Sequence, residues 1–170
     1  MSTILIVAGP NGAGKTTFAT RWINDSAPGF DFVNADEVAR ELPSGLSVAE
    51  RDLRAGRLML ARLDRLIADR ADLVLETTLS SRLYARRIPE WRAVGYRVAL
   101  IYVRLPDVET SIARVAHRVS MGGHGVAEAD LRRRFPRSLA NLEAYKPLVD
   151  FWEVWDSRHD GTILADRSRP

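Results

Sequence analysis

Thr3-Ile4-Leu5-Ile6-Val7-Ala8 is an apolar, largely β-branched run, and Gly9-Pro10-Asn11-Gly12-Ala13-Gly14-Lys15-Thr16 follows it directly. The second stretch fits G-x-x-x-x-G-K-[ST], set between a strand and a helix predicted from Lys15 to about Asn24. Glycines open backbone angles closed to other residues, so consecutive N–H groups can turn inward and cradle an anion. The following helix points its positive end at the same spot. The pattern therefore predicts a phosphate-binding loop built from Gly9, Pro10, Asn11, Gly12, Ala13, Gly14, Lys15, Thr16 and Thr17. In it Lys15 reaches the β- and γ-phosphates of ATP, Thr16 ligates Mg²⁺ and Thr17 touches the α-phosphate. The bland alternative is a glycine-rich turn that merely joins strand to helix. Of the 25 Lys and Arg residues only Lys15 and Lys146 are lysine, leaving 23 arginines, so finding one of two lysines in the key slot counts against that alternative.

Outward from the loop, 170 residues suffice for one globular domain with a proper core, read here as residues 1–170. An apolar fraction of 46% and a charged fraction of 28% argue against disorder. No apolar run approaches the roughly 18 residues of a membrane span, and the opening strand is too short for a signal-peptide core. With no cysteine there is no disulfide framework, thiolate metal site or thiol nucleophile. The expectation is a cytoplasmic protein without membrane contact. The sequence pI is about 9.7, but the net charge is only +3. Arginine forks suit phosphate oxygens, yet no concentrated basic arm points to nucleic acid.

Phe30 to Asn34 reads as a second strand, followed by a short helix and a turn at Pro43-Ser44-Gly45. A long helix is predicted from Val48 to Arg70, with Leu53, Leu60, Leu63 and Ile67 at helical spacing. Asp72 to Thr78 reads as a third strand, Ser81 to Val94 as a helix bent or broken near Pro89, and Tyr96 to Leu105 as a fourth strand. Asp107 caps a helix striped by Val108, Ile112, Val115 and Val119, and Gly122-Gly123-His124-Gly125 breaks it. Ala127 to about Tyr145 is helical again, restarting at Pro136. Phe151–Asp156 and Thr162–Ala165 form a hairpin around Asp160-Gly161. Strands apolar along their whole length, alternating with helices, predict an α/β domain. Its core would be a doubly wound, mostly parallel five-stranded sheet flanked by helices, with a helical lid over about residues 114–137.

Ligands of such sheets sit beyond the carboxyl ends of the strands, where Asp36 and Glu76-Thr77-Thr78 fall. Asp36 is the candidate general base for an acceptor hydroxyl; its rival role is a helix cap. Glu76 either faces metal or substrate, or is a surface carboxylate. Arg114 and Arg118 lie four apart on one helix face, where like charges repel and a transferred phosphate would relieve them. Arg132-Arg133-Arg134 can send only one or two side chains to the site. Glu128–Arg132 and Asp130–Arg134 also have the spacing of ordinary surface pairs. His124 is read as a turn residue, and Trp22, Trp91, Trp152 and Trp155 as packing.

The ordered set Gly9 to Thr17, Asn34-Ala35-Asp36, Ala55-Gly56-Arg57, Glu76-Thr77-Thr78-Leu79, Gly122-Gly123-His124 and Arg132-Arg133-Arg134-Phe135 resembles the zeta-toxin family of P-loop kinases. The resemblance covers nearly the whole chain. It implies a kinase that uses ATP and Mg²⁺ to phosphorylate a sugar hydroxyl of UDP-N-acetylglucosamine and is restrained by an antitoxin protein. It further implies Asp36 as the hydroxyl-activating base, Lys15 and Thr16 as the ATP–Mg²⁺ site, and Glu76 and Thr78 as acceptor contacts. Arg114 or Arg118 and a lid arginine such as Arg134 would stabilise the moving phosphoryl group. Two other functions fit the same loop: a nucleotide-dependent ATPase or binding module acting on a protein partner, and a polynucleotide kinase.

Overall fold

The structure, a computed structural model, describes residues 1–43, 45–159 and 161–168, with the side chains of residues 48, 49 and 52 excepted. In chain order the elements are β1 (Thr3–Ala8), α1 (Lys15–Ser26), β2 (Asp31–Val33), α2 (Ala35–Arg40), α3 (Val48–Ala68) and β3 (Leu73–Thr77). They continue with α4 (Leu83–Ala93), β4 (Arg97–Arg104), α5 (Val108–Ser120), α6 (Glu128–Tyr145), a 3₁₀ turn (Lys146–Leu148), β5 (Phe151–Arg158) and β6 (Gly161–Arg167). The turns read at Pro43-Ser44-Gly45 and Asp160-Gly161 each include a residue, Ser44 or Asp160, outside the described set.

One sheet runs in the order β2-β3-β1-β4-β5-β6. The pairs through β5 are parallel, and β6 returns antiparallel along β5. The expected five strands are thus six, because the second arm of the terminal hairpin is long enough to pair along the edge of β5. From β1 the chain moves out to β2, returns through β3 and then crosses to β4 on the other flank of β1. The connections diverge at the carboxyl end of β1, which is where doubly wound sheets hold ligands.

Alternation along β1 explains why both faces are covered. Ile4, Ile6 and Ala8 join a core with Met59 and Leu63 of α3, Ile88 and Trp91 of α4, and Leu142 and Tyr145 of α6. Leu5 and Val7 point the other way, to Ala19, Phe18 and Trp22 of α1. Each fully buried aliphatic side chain here contributes roughly 1.5–3 kcal/mol. The tryptophans pack as expected: Trp22 meets Phe30 and Trp155 meets Phe18 edge-on, while Lys146 lies 4.4 Å over Trp152.

Four helical expectations need correction. Leu53 is 57% exposed and Val119 45% exposed: two residues before the buried Ala55, Leu53 faces nearly the opposite side of the helix, and Val119 stands in the last turn of α5. The face that α3 buries is Ala55, Met59, Leu63 and Leu66. Pro136 neither starts nor breaks a helix, since α6 runs unbroken through it, and α4 runs through Pro89 in the same way. Both prolines sit on exposed faces, where water can take the carbonyl left without its helical N–H partner. Asp107 does cap α5, accepting the Thr110 N–H at 2.7 Å. Among the described residues no helix is long and apolar enough to cross a membrane.

A polar seam ties α6 to the segment after β3. Ser138 Oγ donates to the Thr78 carbonyl (2.6 Å) and receives the Tyr102 hydroxyl (2.8 Å). Asn141 Nδ2 donates to the Leu79 carbonyl (2.8 Å), and the Tyr145 hydroxyl to that of Ser81 (3.0 Å). Leu79 itself is fully buried with φ of 57°, a left-handed conformation that a leucine holds only when its surroundings fix it.

Of the glycines, Gly9 is the most tightly enclosed. Its φ is +144°, and a Cβ there would lie 2.2 Å from the Val103 carbonyl oxygen of β4. Gly14, at φ +87°, has nothing within 4 Å of such an atom. Gly9→Ala should therefore lower unfolding free energy by at least about 2 kcal/mol through overpacking. Gly14→Ala, which meets only backbone strain, should cost about 1 kcal/mol. Urea titrations of the two variants check the order; equal losses would remove the clash as the cause.

Candidate active site

Beyond β1 and β3 opens a cleft of about 630 Å³. Its floor is the loop from Gly9 to Gly14. Gly12 and Gly14 adopt φ of 76° and 87°, and Gly14 is the N-cap of α1 without a side-chain hydrogen bond. The first turn of α1 also has no acidic residue. The leading N–H groups of α1, which have no partner inside the helix, are therefore left to an external anion. Gly9, Pro10 and Ala13 lie beneath this surface, and Asn11, Gly12, Gly14, Lys15, Thr16 and Thr17 line it. The loop is clamped from α5, where Ser111 Oγ donates to the Asn11 carbonyl at 2.7 Å.

Lys15 is 7% exposed and donates to the Pro10 carbonyl at 3.0 Å. Burial pulls its pKa below the usual lysine value, Glu76 and Asp36 pull it back up, and Arg118 adds to the lowering. Two carboxylates thus hold a cation in a place that disfavours charge.

The two expected carboxylates are brought together here with different surroundings. Glu76 Oε1 accepts from Thr16 Oγ1 (3.1 Å), and Oε2 from Asn34 Nδ2 (2.9 Å). Burial raises the Glu76 pKa, while Lys15 and the Thr16 hydrogen bond oppose the rise. Asn34 also caps α2, its Oδ1 accepting the Asp36 N–H at 2.7 Å. Asp36 is accordingly not the cap. It stands at the second helical position with its side chain exposed at the cleft. Asn34, buried at 5% exposure, is the residue that sequence reasoning undervalued; its cap signal is visible, but its bond to Glu76, 42 positions away, is not.

Thr78 lines the cleft and its Oγ1 pairs with Ser80 Oγ at 3.0 Å. Arg114, Arg118 and Arg134 all reach the cleft from α5 and α6. Arg114 donates to Ser157 Oγ at 2.6 Å, and Arg118 Nη2 to the His124 carbonyl at 2.7 Å. Arg118 Nε is buried without a partner. His124 contributes only that carbonyl, as a turn residue would. The spacing that suggested an Asp130–Arg134 pair gives way to Arg133, which meets Asp130 at 2.5 Å and leaves Arg134 facing the cleft. Arg132 instead pairs with Glu128 at 2.8 Å and Glu109 at 2.6 Å. The α5–α6 connection begins with Gly122 at φ +83°, its N–H bonded to Val119 and that of Gly123 to Arg118. This is the Schellman pattern of a helix end. A Cβ on Gly123 would come within 2.6 Å of the Arg118 side chain.

Residues 4–141 match the sequence model of the AAA domain. The chain belongs to this AAA domain family. An uncharacterized protein of Haemophilus influenzae is 30% identical over 132 residues, 77% of this chain and 91% of that protein. The cytidylate kinase of Ignicoccus hospitalis is 28% identical over 161 residues, 91% of this chain and 87% of that enzyme. Among solved structures, AvrRxo1-ORF1 in complex with AvrRxo1-ORF2 superposes with a TM-score of 0.75 at 18% identity. It covers 98% of this chain, which in turn spans 58% of that one. The PezAT toxin–antitoxin system of Streptococcus pneumoniae gives 0.71 at 16% identity, covering 98% of this chain and 71% of that one. The resemblance to zeta toxins holds at the level of the fold, that of a kinase-like P-loop domain.

The raised pKa of Glu76 has a stability consequence. A carboxyl group whose folded pKa exceeds its unfolded value destabilises the fold as pH rises through that interval, because the unfolded chain releases the proton first. Glu76→Gln keeps an acceptor for Thr16 and removes the titration. The variant should gain stability relative to wild type as pH goes from 4 toward 8, with the smallest difference at the acid end. Urea unfolding across that range checks the slope; a pH-independent difference would mean burial does not govern Glu76.

Proposed function

We propose that this chain is an ATP-dependent kinase that transfers the γ-phosphate to a hydroxyl of a small molecule. The observation that carries the proposal is the separation of tasks between Asn34 and Asp36. Because Asn34 caps α2, Asp36 is free at the cleft, close enough to Lys15 for its charge to raise that pKa. As the acceptor oxygen bonds to the γ-phosphorus, its proton passes to Asp36 and the bond to the β–γ bridging oxygen breaks, releasing ADP. Lys15, Arg114, Arg118 and Arg134 offset the charge on the phosphoryl oxygens, and catalysis rests mainly on alignment and electrostatics.

Thr16 and Glu76 have the donor set that Mg²⁺ takes beside phosphates, a hydroxyl and one carboxylate with water completing the shell. No group of three or more carboxylates and histidines able to hold a metal alone is present among the described residues. An ion held by Thr16 and Glu76 would neutralise charge on the phosphates. The 3.1 Å Thr16–Glu76 contact favours a metal-side role for Glu76 over the acceptor contact expected from the zeta-toxin resemblance. Thr78 remains on the acceptor side. Residues 114–137 would act as a lid bending at Gly122–Gly125, within one kinase domain of residues 1–170.

The resemblance and the toxin–antitoxin complex among the structural neighbours support two finer proposals. UDP-N-acetylglucosamine is the first acceptor to try, and an antitoxin-type protein is the partner to seek, both in the cytoplasm.

Asp36→Asn should leave ATP affinity within about twofold while lowering turnover by roughly 10²–10⁴, the range of a lost general base. Lys15→Ala should weaken both ATP binding and turnover. Labelled ATP with a metabolite extract, followed by mass spectrometry for species heavier by one phosphate, reads the transfer. Full turnover by Asp36→Asn would remove it from the chemistry, and normal ATP binding by Lys15→Ala would remove the loop.

A further inference from the structure

The end of the cleft formed by α2 and α3 holds groups that none of these roles uses. Arg40 is the last residue of α2, four positions after Asp36 and on the same helix face. Arg51 lies near the start of α3, and Ala55, Gly56 and Met59 continue the cleft-lining side of that helix. Neither Arg40 nor Arg51 has a carboxylate partner among the described residues. The triphosphate already has four cations of its own in Lys15, Arg114, Arg118 and Arg134, so these two guanidiniums are left over at the acceptor side.

Gly56 is an independent observation. It sits inside the 21-residue helix α3, where glycine weakens a helix relative to alanine. Its backbone does not adopt a positive φ, and among the described residues a Cβ on it would meet nothing within 4 Å. Neither conformation nor packing demands glycine there, yet the residue borders the cleft. Bare backbone at that point makes room for something that lies on the helix. Beside it Met59 and Tyr84 are buried, with the Tyr84 hydroxyl 3.8 Å from Met59 Sδ. The surface is apolar, and the phenol stays neutral because burial pushes its pKa up to about 12.

We infer that this is an acceptor subsite for a hydroxylated small molecule that also carries a phosphate or a carboxylate. The body of the molecule lies over Ala55, Gly56 and Met59, and Arg40 and Arg51 hold its anionic group. The inference rests on the kinase proposal and narrows its substrate class. One helical turn, about 5.4 Å, separates the level of Asp36 from that of Arg40. A hydroxyl at the first and an anion at the second therefore suit a sugar-sized acceptor. Arginine is matched to this task because its planar fork pairs with either anion in bidentate fashion.

The test uses the full chain with the phosphate loop filled by a non-hydrolysable ATP analogue. Calorimetry then compares glucose 1-phosphate with glucose and gluconate with sorbitol. At least one anionic member should bind about tenfold or more tightly than its neutral partner, and the pair that shows the preference identifies the anion. Arg40→Gln and Arg51→Gln should each remove most of that preference while leaving the analogue's affinity within about twofold. Gly56→Leu should weaken the same acceptor about tenfold with an unchanged or higher Tm. The subsite is refuted by absent binding of both anionic probes, by equal binding within both pairs, or by a preference that survives both arginine substitutions. Unchanged acceptor affinity in Gly56→Leu also refutes it. Transfer is read separately: wild type that binds with the expected preference yet never phosphorylates the bound probe defeats the kinase proposal and leaves the subsite standing.

Discussion

The arrangement depends on one buried ammonium group. Lys15 sits where burial disfavours its charge, with the Pro10 carbonyl as its hydrogen-bond partner. It stays useful because the surrounding chain is rigid and partly anionic. Gly9 is pressed against the Val103 carbonyl, Ser111 clamps the Asn11 carbonyl, and β1 is flanked on both sides by parallel strands. The loop therefore cannot relax away from the cation. Bringing a triphosphate to it would complete the charge of Lys15 and satisfy the free N–H groups of α1 at once.

The carboxylates show how one local change divides two tasks. Asn34 spends one end of its amide on the α2 cap and the other on Glu76. Had Asp36 capped the helix, its oxygens would be committed to backbone N–H groups and unable to take a proton from an acceptor. With Asn34 in that role, Glu76 is fixed toward Thr16, and Asp36 keeps an open face on the cleft. The environments of the two acids are pulled apart by position, one half-buried and hydrogen-bonded, the other exposed.

Much of this is legible in the sequence because it is local. The β1 run, the glycine loop and the carboxylates after β2 and β3 are neighbours along the chain, and their geometry follows from strand and helix periods. Other features were ambiguous because two local solutions exist with similar energy. Asn34 and Asp36 are both good caps, and Asp130 can pair at i+3 or i+4; tertiary placement chose Asn34 and Arg133. Leu53 and Val119 fit the helical period, but the buried stripe of α3 follows Ala55, Met59 and Leu63, and Val119 lies in the last turn of α5. Pro89 and Pro136 carry a break signal that exposure to water softens. The α6 seam left no trace in the sequence, since Ser138, Asn141 and Tyr145 reach carbonyls about 60 positions away and read as ordinary helix residues.

That seam bears on how the cleft moves. The C-terminal half of α6 is bonded to the carbonyls of Thr78, Leu79 and Ser81, and its N-terminal half carries Arg134 into the cleft. A rotation of the whole helix would break these buried hydrogen bonds, each at a cost of roughly 1–3 kcal/mol. The helix α5 is tied down as well, by Ser111 to the Asn11 carbonyl, by Arg114 to Ser157 and by Glu109 to Arg132 of α6, so freedom to move is left mainly to the connection from Gly122 to Ala127. Arg134 and Thr78 are thereby held on one hydrogen-bonded body. A change in that connection on nucleotide binding would shift the Arg118 guanidinium, which is bonded to the His124 carbonyl, without disturbing the segment that faces the acceptor.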